Sequence, residues 1–331
     1  MPVFAAIDGT VVEVSDRLPD EHTAENMTVV DNHVIISSRN REIHTIYGHL
    51  RKGVLVRRGQ HVVAGQQLGY TASSGHSTWP HLHFTAKLGL DPYEPFAGPC
   101  RQGSSYWASQ PPMPTEPYVR DFTFSDQPFG GRKDPPWDEA VRTGTFVRGE
   151  RDVYFRVELA FFDGGPMGVT FLRPDGSTAL DADGPTMLQG FRATWADFRE
   201  RLDLDQPGRW RIRVSADGKT VVDAPFDVVA SRTGVRNRPP NPVSVELATP
   251  NVVPQCLVHT SPVTEDPDFQ IMRYRYRWFV GAKRVRSVTS AALSDVLRQG
   301  LARSGQTLTC KVTPSDGKLS GRKASAAVRL G

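Results

Sequence analysis

Apolar and polar residues alternate along several stretches of this chain, and this period of two is typical of strands with one buried face. Longer alternating stretches cover residues 153–161, 210–214 and 272–278. Short β-branched runs at 11–14, 34–36, 45–47 and 54–56 are separated by glycine and polar turns. The pattern therefore predicts an all-β protein.

Turn signals place the strands of the middle region in antiparallel pairs. Asp217-Gly218 lies between two alternating stretches, which is a strong cue for a type I′ hairpin. Pro174-Asp175-Gly176-Ser177 is a second turn signal. We interpret the nearby aspartates as turn formers rather than calcium ligands, and the two aromatic residues as core; these are Asp163, Asp175, Asp181, Asp183, Trp195 and Phe198.

Two stretches lack the apolar residues needed for a core. Residues 98–117 are rich in Pro, Gly, Ser and Gln, and residues 231–242 are rich in Pro and Arg. Such segments read as linkers because they cannot bury enough apolar surface to fold. They divide the chain into three predicted units at 1–97, 118–230 and 243–331, as expected for 331 residues at ~100–200 per domain.

Composition excludes some partners. The chain is 38% hydrophobic and 23% charged, with a net charge of +4, which is ordinary for a soluble protein. We expect no nucleic-acid partner, because no Lys/Arg run or aromatic-interleaved basic stripe suggests one. We expect no membrane span either, because no apolar stretch reaches the ~18 residues that a spanning helix needs.

Candidate chemistry lies in His81-Leu82-His83-Phe84. In an extended strand His81 and His83 share one face, while Leu82 and Phe84 share the other. His49 stands upstream in Tyr47-Gly48-His49-Leu50. Imidazole is both the commonest metal ligand and the usual proton carrier near neutral pH. Three histidines on one sheet face would suit a zinc site with two acid–base partners.

These residues belong to an ordered set of motifs that covers roughly the first 95 residues and resembles the lysostaphin/LytM-type zinc endopeptidases, which cut peptide cross-links in bacterial cell walls. The set comprises residues 2–12, Tyr47-Gly48-His49-Leu50, residues 54–69, residues 74–84 and Leu90-Asp91-Pro92. The resemblance implies an antiparallel β groove domain of the duplicated hybrid type. It also implies a peptidoglycan peptide as substrate and a place outside the cell, in the periplasm or in the cell envelope.

The resemblance also assigns roles to single residues. His83 is implied as a zinc ligand, and His49 and His81 as catalytic residues that position or deprotonate the zinc-bound water. Tyr47 and Trp79 are candidates for the substrate groove. The other two zinc ligands of the family come from an H-x-x-x-D segment, which would precede Pro2.

Two interpretations follow from the missing ligand segment. In the first, the natural reading frame extends upstream of Met1, and the chain as given is a truncated enzyme with weak or no activity. In the second, the domain has lost zinc and uses the same groove to bind or regulate at the cell wall. His33 and His44 either replace a lost ligand or are half-buried strand histidines, and we expect His22, His61 and His76 to be surface residues.

The last unit has the order Cys256, Trp278, Cys310 on alternating stretches, which resembles an immunoglobulin-like β-sandwich. This resemblance implies a disulfide between the two cysteines, and hence an oxidising compartment. The alternative is two buried free thiols. Residues 207–214 likewise resemble immunoglobulin-like accessory modules, so we expect two such sandwiches after the first unit. They would be spacers or would contact surfaces or carbohydrate, and in a third interpretation they make the protein an adhesin.

Overall fold

The chain folds almost entirely into β-strands. The computed structural model describes residues 1–20, 30–40, 42–77, 80–108, 110, 114, 116–129, 141–187, 193–249, 253–298 and 300–331. Within these ranges the one helical element is a short 3₁₀ turn, Arg232–Gly234. In the described part of the chain, no helix is long and apolar enough to cross a membrane. The all-β prediction is confirmed.

The first unit contains a six-stranded antiparallel sheet in the order β5-β2-β3-β4-β7-β8 and a two-stranded sheet of β1 and β6. Its core lies between them and contains fully buried Val11, Val34, Ile36, Val62 and Leu68. The strands are β1 (Pro2–Phe4), β2 (Gly9–Ser15), β3 (His33–Ser37), β4 (Ile43–Gly48), β5 (His61–Val62), β6 (Gln67–Tyr70), β7 (His83–Leu88) and β8 (Asp91–Pro92).

The strand predicted at residues 54–56 is wrong. Turns confine this run on both sides, because Gly53 has a left-handed φ of 95° and Gly59 one of 83°. The carboxylate of Asp16 accepts the backbone N–H groups of Gly53 and Val54, which fixes the entry to the run. Val56 is nevertheless buried, so this apolar run indicates a core contact rather than a strand.

The second unit has a five-stranded sheet, β10-β16-β15-β12-β13, and a three-stranded sheet, β14-β11-β9, which share one core. The β15–β16 hairpin turns at Asp217 and Gly218, whose φ angles of 48° and 73° are the positive pair that a type I′ turn requires. The strands are β9 (Tyr118–Ser125), β10 (Thr145–Val147), β11 (Gly149–Ala160), β12 (Gly165–Leu172), β13 (Thr178–Met187), β14 (Ala193–Leu204), β15 (Gly208–Ala216) and β16 (Lys219–Val229).

Three side-chain expectations for this unit need correction. Asp181 and Asp183 lie on β13 rather than in turns, and Asp181 accepts the hydroxyl of Thr170 on the neighbouring strand. Trp195 is exposed, because its position on β14 alternates with buried Ala196 and Phe198. Phe198 is buried in the core, as predicted, so only one of the two aromatic residues was assigned correctly.

The third unit also has two sheets around one core, β17-β18-β21 and β20-β19-β22-β23. Tyr274, Tyr276 and Trp278 are buried on one face of β19, and Met272 just before the strand is buried too, as the alternation predicted. Whether either sandwich is related to immunoglobulin domains stays a prediction. The strands are β17 (Ser244–Ala248), β18 (Gln255–His259), β19 (Arg273–Val280), β20 (Lys283–Ser290), β21 (Ser294–Val296), β22 (Thr307–Ser315) and β23 (Ala324–Arg329).

A disulfide joins Cys256 on β18 to Cys310 on β22, with their Cα atoms 6.2 Å apart, and so links the two sheets of this unit. Trp278 lies beside it in the core and donates its indole N–H to Asp295 at 2.8 Å. The third cysteine, Cys100, is free and exposed.

The second and third units are tied together by packing and by one arginine. Phe269 enters the core of the second unit and meets the Phe122 ring edge-on at 5.1 Å. Arg238, in the connecting segment, donates to the carboxylates of Asp268 and Asp227 and to the carbonyl of Pro267. The side chain of Asp268 is only 5% exposed, so this ion pair is largely removed from solvent.

Candidate functional site

The three histidines singled out from the sequence lie together at one end of the six-stranded sheet. His49 directly follows β4, and His83 begins β7 opposite Gly48. His81 is held against Ala72 by an isolated β-bridge. The His49 ring centroid is 4.6 Å from that of His81 and 5.8 Å from that of His83. The fold thus brings residues 32 positions apart in the chain to one patch of surface.

His49 is the most firmly held member of this histidine cluster. Its backbone has a left-handed φ of 56°, a conformation that is uncommon outside glycine, asparagine and aspartate. Its Nδ1 is 2.8 Å from the carbonyl oxygen of Ser74. Because a carbonyl can only accept, Nδ1 carries the proton, and in the neutral ring Nε2 has the free electron pair. The ring is thus fixed in a tautomer that can accept a proton at Nε2.

His81 and His83 are more open to solvent than His49. His81 Nδ1 is 3.4 Å from the hydroxyl of Ser77, which in turn is 2.8 Å from the hydroxyl of Ser73. His83 is exposed at the first position of β7. Leu82 and Phe84 line the opposite side, where they border an apolar cleft of about 590 Å³. The alternation predicted from His81 to Phe84 therefore describes the local geometry, although the regular strand begins only at His83.

Sequence reasoning missed Asp31, which lies behind the cluster. One carboxylate oxygen accepts the backbone N–H of His49 at 2.7 Å and is 3.6 Å from its Nδ1. The other is 3.2 Å from His33 Nδ1. A Cβ on Gly48 would come within 2.2 Å of this carboxylate, so the strand needs glycine there to let Asp31 approach. The Gly-His pair of the motif was the available signal, but it does not indicate which residue fills the space.

His33 forms a buried ion pair with Asp31. Its Nδ1 contacts Asp31, and its Nε2 is 3.1 Å from the carboxylate of Glu13. The hydrogen bond to Asp31, opposed by burial and helped by Glu13, raises the pKa of His33 to about 9. Burial favours a higher pKa for Asp31, but the hydrogen bonds from His33 and His49 outweigh it and lower that pKa below its usual value. Both ring nitrogens of His33 thus face carboxylates of the protein itself, and its side chain is buried on β3.

The remaining predicted residues lie elsewhere. Tyr47 is 1% exposed, and its hydroxyl accepts the backbone N–H of Ala6 at 2.7 Å. Burial raises the pKa of this hydroxyl to about 12. Tyr47 also borders the apolar cleft beside Leu82 and Phe84, and its role in a substrate groove stays a prediction. Trp79 and His22 lie outside the described residues, His61 and His76 are exposed as expected, and His44 is half-buried on β4.

Comparison with known proteins gives matches for the first unit. Residues 1–95 match the profile of peptidase family M23. Peptidoglycan DD-endopeptidase ShyA of Vibrio cholerae is 36% identical over 83 residues, which are 25% of this chain and 16% of that protein. An uncharacterized metalloprotease of Haemophilus influenzae is 34% identical over 83 residues, covering 25% of this chain and 15% of its own. The chain thus spans about a sixth of the length of these curated relatives.

Solved structures give matches of low overall similarity. The catalytic domain of lysostaphin from Staphylococcus simulans covers 29% of this chain and 67% of its own length, with 26% identity and a TM-score of 0.24. A two-domain fibronectin type III segment of chicken tenascin covers 64% of this chain and 99% of its own, with 12% identity and a TM-score of 0.23.

The motifs around His49, His81 and His83 all lie within the stretch that matches the family profile. The first 95 residues of the chain are therefore similar to peptidase family M23.

Proposed function

We propose that this chain is part of a cell-wall hydrolase that cleaves peptide bonds in peptidoglycan, and that it acts outside the cell or in the cell envelope. The observation that carries the proposal is the gathering of three imidazoles at one sheet end, within the residues that match a peptidase family. The Vibrio relative is named a peptidoglycan DD-endopeptidase, which supports the choice of substrate.

In this proposal His49 is the proton acceptor. The bond from its Nδ1–H to the Ser74 carbonyl leaves Nε2 to take a proton from an attacking water. The neighbouring Asp31 carboxylate stabilises the imidazolium that forms. His81, whose ring is 4.6 Å from that of His49, would donate a hydrogen bond to the oxygen on which negative charge develops.

A separate question is whether the hydrolysis depends on zinc. The described residues contain no group of three His, Cys, Asp or Glu side chains that could hold a metal ion. A catalytic zinc normally takes three protein ligands and a water. The residues at hand do not fit a complete zinc site, since His83 would supply one ligand and two more are needed. We therefore derive no step through zinc and expect the 331-residue chain by itself to show weak or no turnover.

The test compares this chain with the same chain fused after an H-x-x-x-D segment that supplies the two further ligands. Peptidoglycan sacculi are digested, and the released fragments are separated by chromatography. We expect chelator-sensitive release only by the fused chain, lost with His83→Ala and reduced at least ~100-fold with His49→Gln, as for an essential general base. His61→Ala, an exposed histidine on β5, is the matched control and retains activity. Turnover that survives both the chelator and His83→Ala would overturn the proposal.

The second candidate is a protein that binds or regulates at the wall without hydrolysis. The observation that favours it is the incomplete ligand set among the described residues. Sedimentation with insoluble peptidoglycan distinguishes the two. Binding by the fused chain without any release of fragments would favour the second candidate.

A further inference from the structure

The outer face of the sheet β20-β19-β22-β23 is strongly cationic. These four strands contain no Asp or Glu. Along β19, Arg273, Arg275 and Arg277 alternate with buried aromatic residues and so project from the outer face. Lys311 on β22 lies directly opposite Arg277 and extends the charge sideways. We call this set of four residues the arginine face.

The arginine face has no internal counter-charge. In the part of the chain that the structure describes, none of its four members forms an ion pair with a carboxylate. The Nε atom of Arg277 is buried without a hydrogen-bond partner.

Arginines of the second unit behave differently, because its sheets carry acidic residues. Arg199 is paired with Asp152 at 2.8 Å and Arg201 with Glu150 at 2.8 Å, while Arg211 is paired with Asp223. The arginine face of the third unit thus contrasts with these paired arginines of the second unit.

The geometry of the arginine face fits an extended polymer. Alternate residues of a strand are ~7 Å apart, so three guanidinium groups form a straight and evenly spaced row. Each guanidinium can bind a phosphate or carboxylate with two parallel hydrogen bonds. An open sheet face lacks the concavity of a small-molecule site. Even spacing along a line favours a polymer that carries its anions in the backbone.

The neighbours of the row indicate which polymer. Proteins that bind single-stranded nucleic acid stack the bases on exposed aromatic rings. Here Tyr274, Tyr276 and Trp278 are turned into the core, and the Nζ atom of Lys311 covers the ring of Phe279 at 4.8 Å. Exposed hydroxyl side chains flank the arginines instead: Thr289 lies opposite Arg275, and Ser287 lies opposite Arg277.

We propose that the arginine face binds a phosphodiester polymer with a polyol or sugar backbone, of the kind that poly(glycerol phosphate) represents. Phosphates would bind the arginines, and backbone hydroxyls would bind the flanking Ser and Thr side chains. This site lies in the third unit and does not depend on the peptidase chemistry. It would attach the protein to an anionic wall polymer while the first unit acts.

The test measures binding of the full chain to fluorescently labelled poly(glycerol phosphate) by anisotropy at several salt concentrations. The test variant is Arg273→Gln/Arg275→Gln/Arg277→Gln. The control, Arg199→Gln/Arg201→Gln/Arg211→Gln, removes the same charge from ion-paired arginines. We expect at least ~10-fold weaker binding for the test variant and less than ~2-fold for the control. At ~0.7 per phosphate contact, the slope of log K against log salt should fall by ~2 in the test variant only.

Several outcomes would overturn the assignment. One is no binding by the full chain, and another is equal losses in the two variants, which would mean that only net charge matters. Single-stranded DNA or polyglutamate binding as tightly as poly(glycerol phosphate) would also refute the ligand class. If the triple variant does not fold, exposed Arg275→Glu alone replaces it, with the same expected loss of at least ~10-fold.

Discussion

The ion pair between His33 and Asp31 gives the first unit a definite dependence on pH. The pKa of His33 is about 9 in the folded protein, against 6.5 for the free side chain. At about 1.4 kcal/mol per pH unit, this difference corresponds to about 3 kcal/mol of stability. Because the folded pKa is the higher one, this contribution is complete below pH ~6.5 and is lost as the pH rises towards ~9.

Asp31→Asn is the variant that tests this reasoning. The hydrogen bond to Asp31 is the largest cause of the raised pKa of His33, so we expect that pKa to fall towards 6.5 in the variant. A charge-assisted hydrogen bond contributes about 1.5–3 kcal/mol, and the variant should be less stable by about this amount at pH 6. At pH 9 the stabilities of the two proteins should differ by much less, because the wild type has by then lost most of the contribution from protonated His33.

The assay combines two measurements on the full chain. Proton–nitrogen NMR of the histidine rings follows the titration of His33. Hydrogen exchange with mass spectrometry reports the local opening free energy of β3, which begins at His33, and of β4, which His49 directly follows. Glu246→Gln is the matched control, because the His259–Glu246 pair has a similar distance of 3.0 Å but both side chains are more than half exposed. We expect that control to change exchange by less than ~0.5 kcal/mol.

Two results would refute this reasoning. The first is a wild-type His33 that titrates near its ordinary value. The second is an Asp31→Asn variant whose exchange in β3 and β4 matches the wild type at pH 6. Either would mean that the carboxylate does not hold His33 or the His49 backbone in solution.

Three further predictions concern packing and covalent structure. Gly48→Ala should destabilise β4 by about 2 kcal/mol in hydrogen exchange, because the new Cβ would displace the Asp31 carboxylate; Gly98→Ala, with open space around it, should change nothing measurable. Cys256→Ser, which breaks a disulfide spanning 54 residues, should lower the free energy of unfolding of the third unit by about 4 kcal/mol in urea, and retained stability would contradict this. Arg238→Gln should lower stability by about 3 kcal/mol and broaden the small-angle scattering distance distribution, because it leaves a buried carboxylate uncompensated; an unchanged scattering curve would oppose it.

The sequence predicted what depends on local pattern. Alternation gave the strands around Phe155, Trp210 and Trp278, since one buried face imposes a period of two. The β-branched run at residues 54–56 wrongly predicted a strand, because burial alone does not make a strand when turns confine the run. The core position predicted for Trp195 from its aromatic ring was also wrong, because the residue lies on the exposed face of β14.

In the candidate site too, the sequence predicted the features that depend on local motifs and missed those that depend on tertiary contacts. The order of the motifs predicted that His49, His81 and His83 serve one site, and the fold places their rings together. Their chemical roles stay predictions. Asp31 could not be predicted, because its position depends on the left-handed backbone of His49 and on the space that Gly48 leaves. The Gly48-His49 pair signals such a space, but nothing in the local sequence indicates that Asp31 fills it.

Arg238 has a mechanical consequence. A short linker rich in proline and arginine would by itself leave the two sandwiches free to change their relative orientation. Here one guanidinium joins carboxylates from both sides of the junction while Phe269 fills the core of the preceding unit. The two sandwiches should therefore reorient together as one rigid body. The distance that they span is then set by their combined length rather than by the flexibility of the linker.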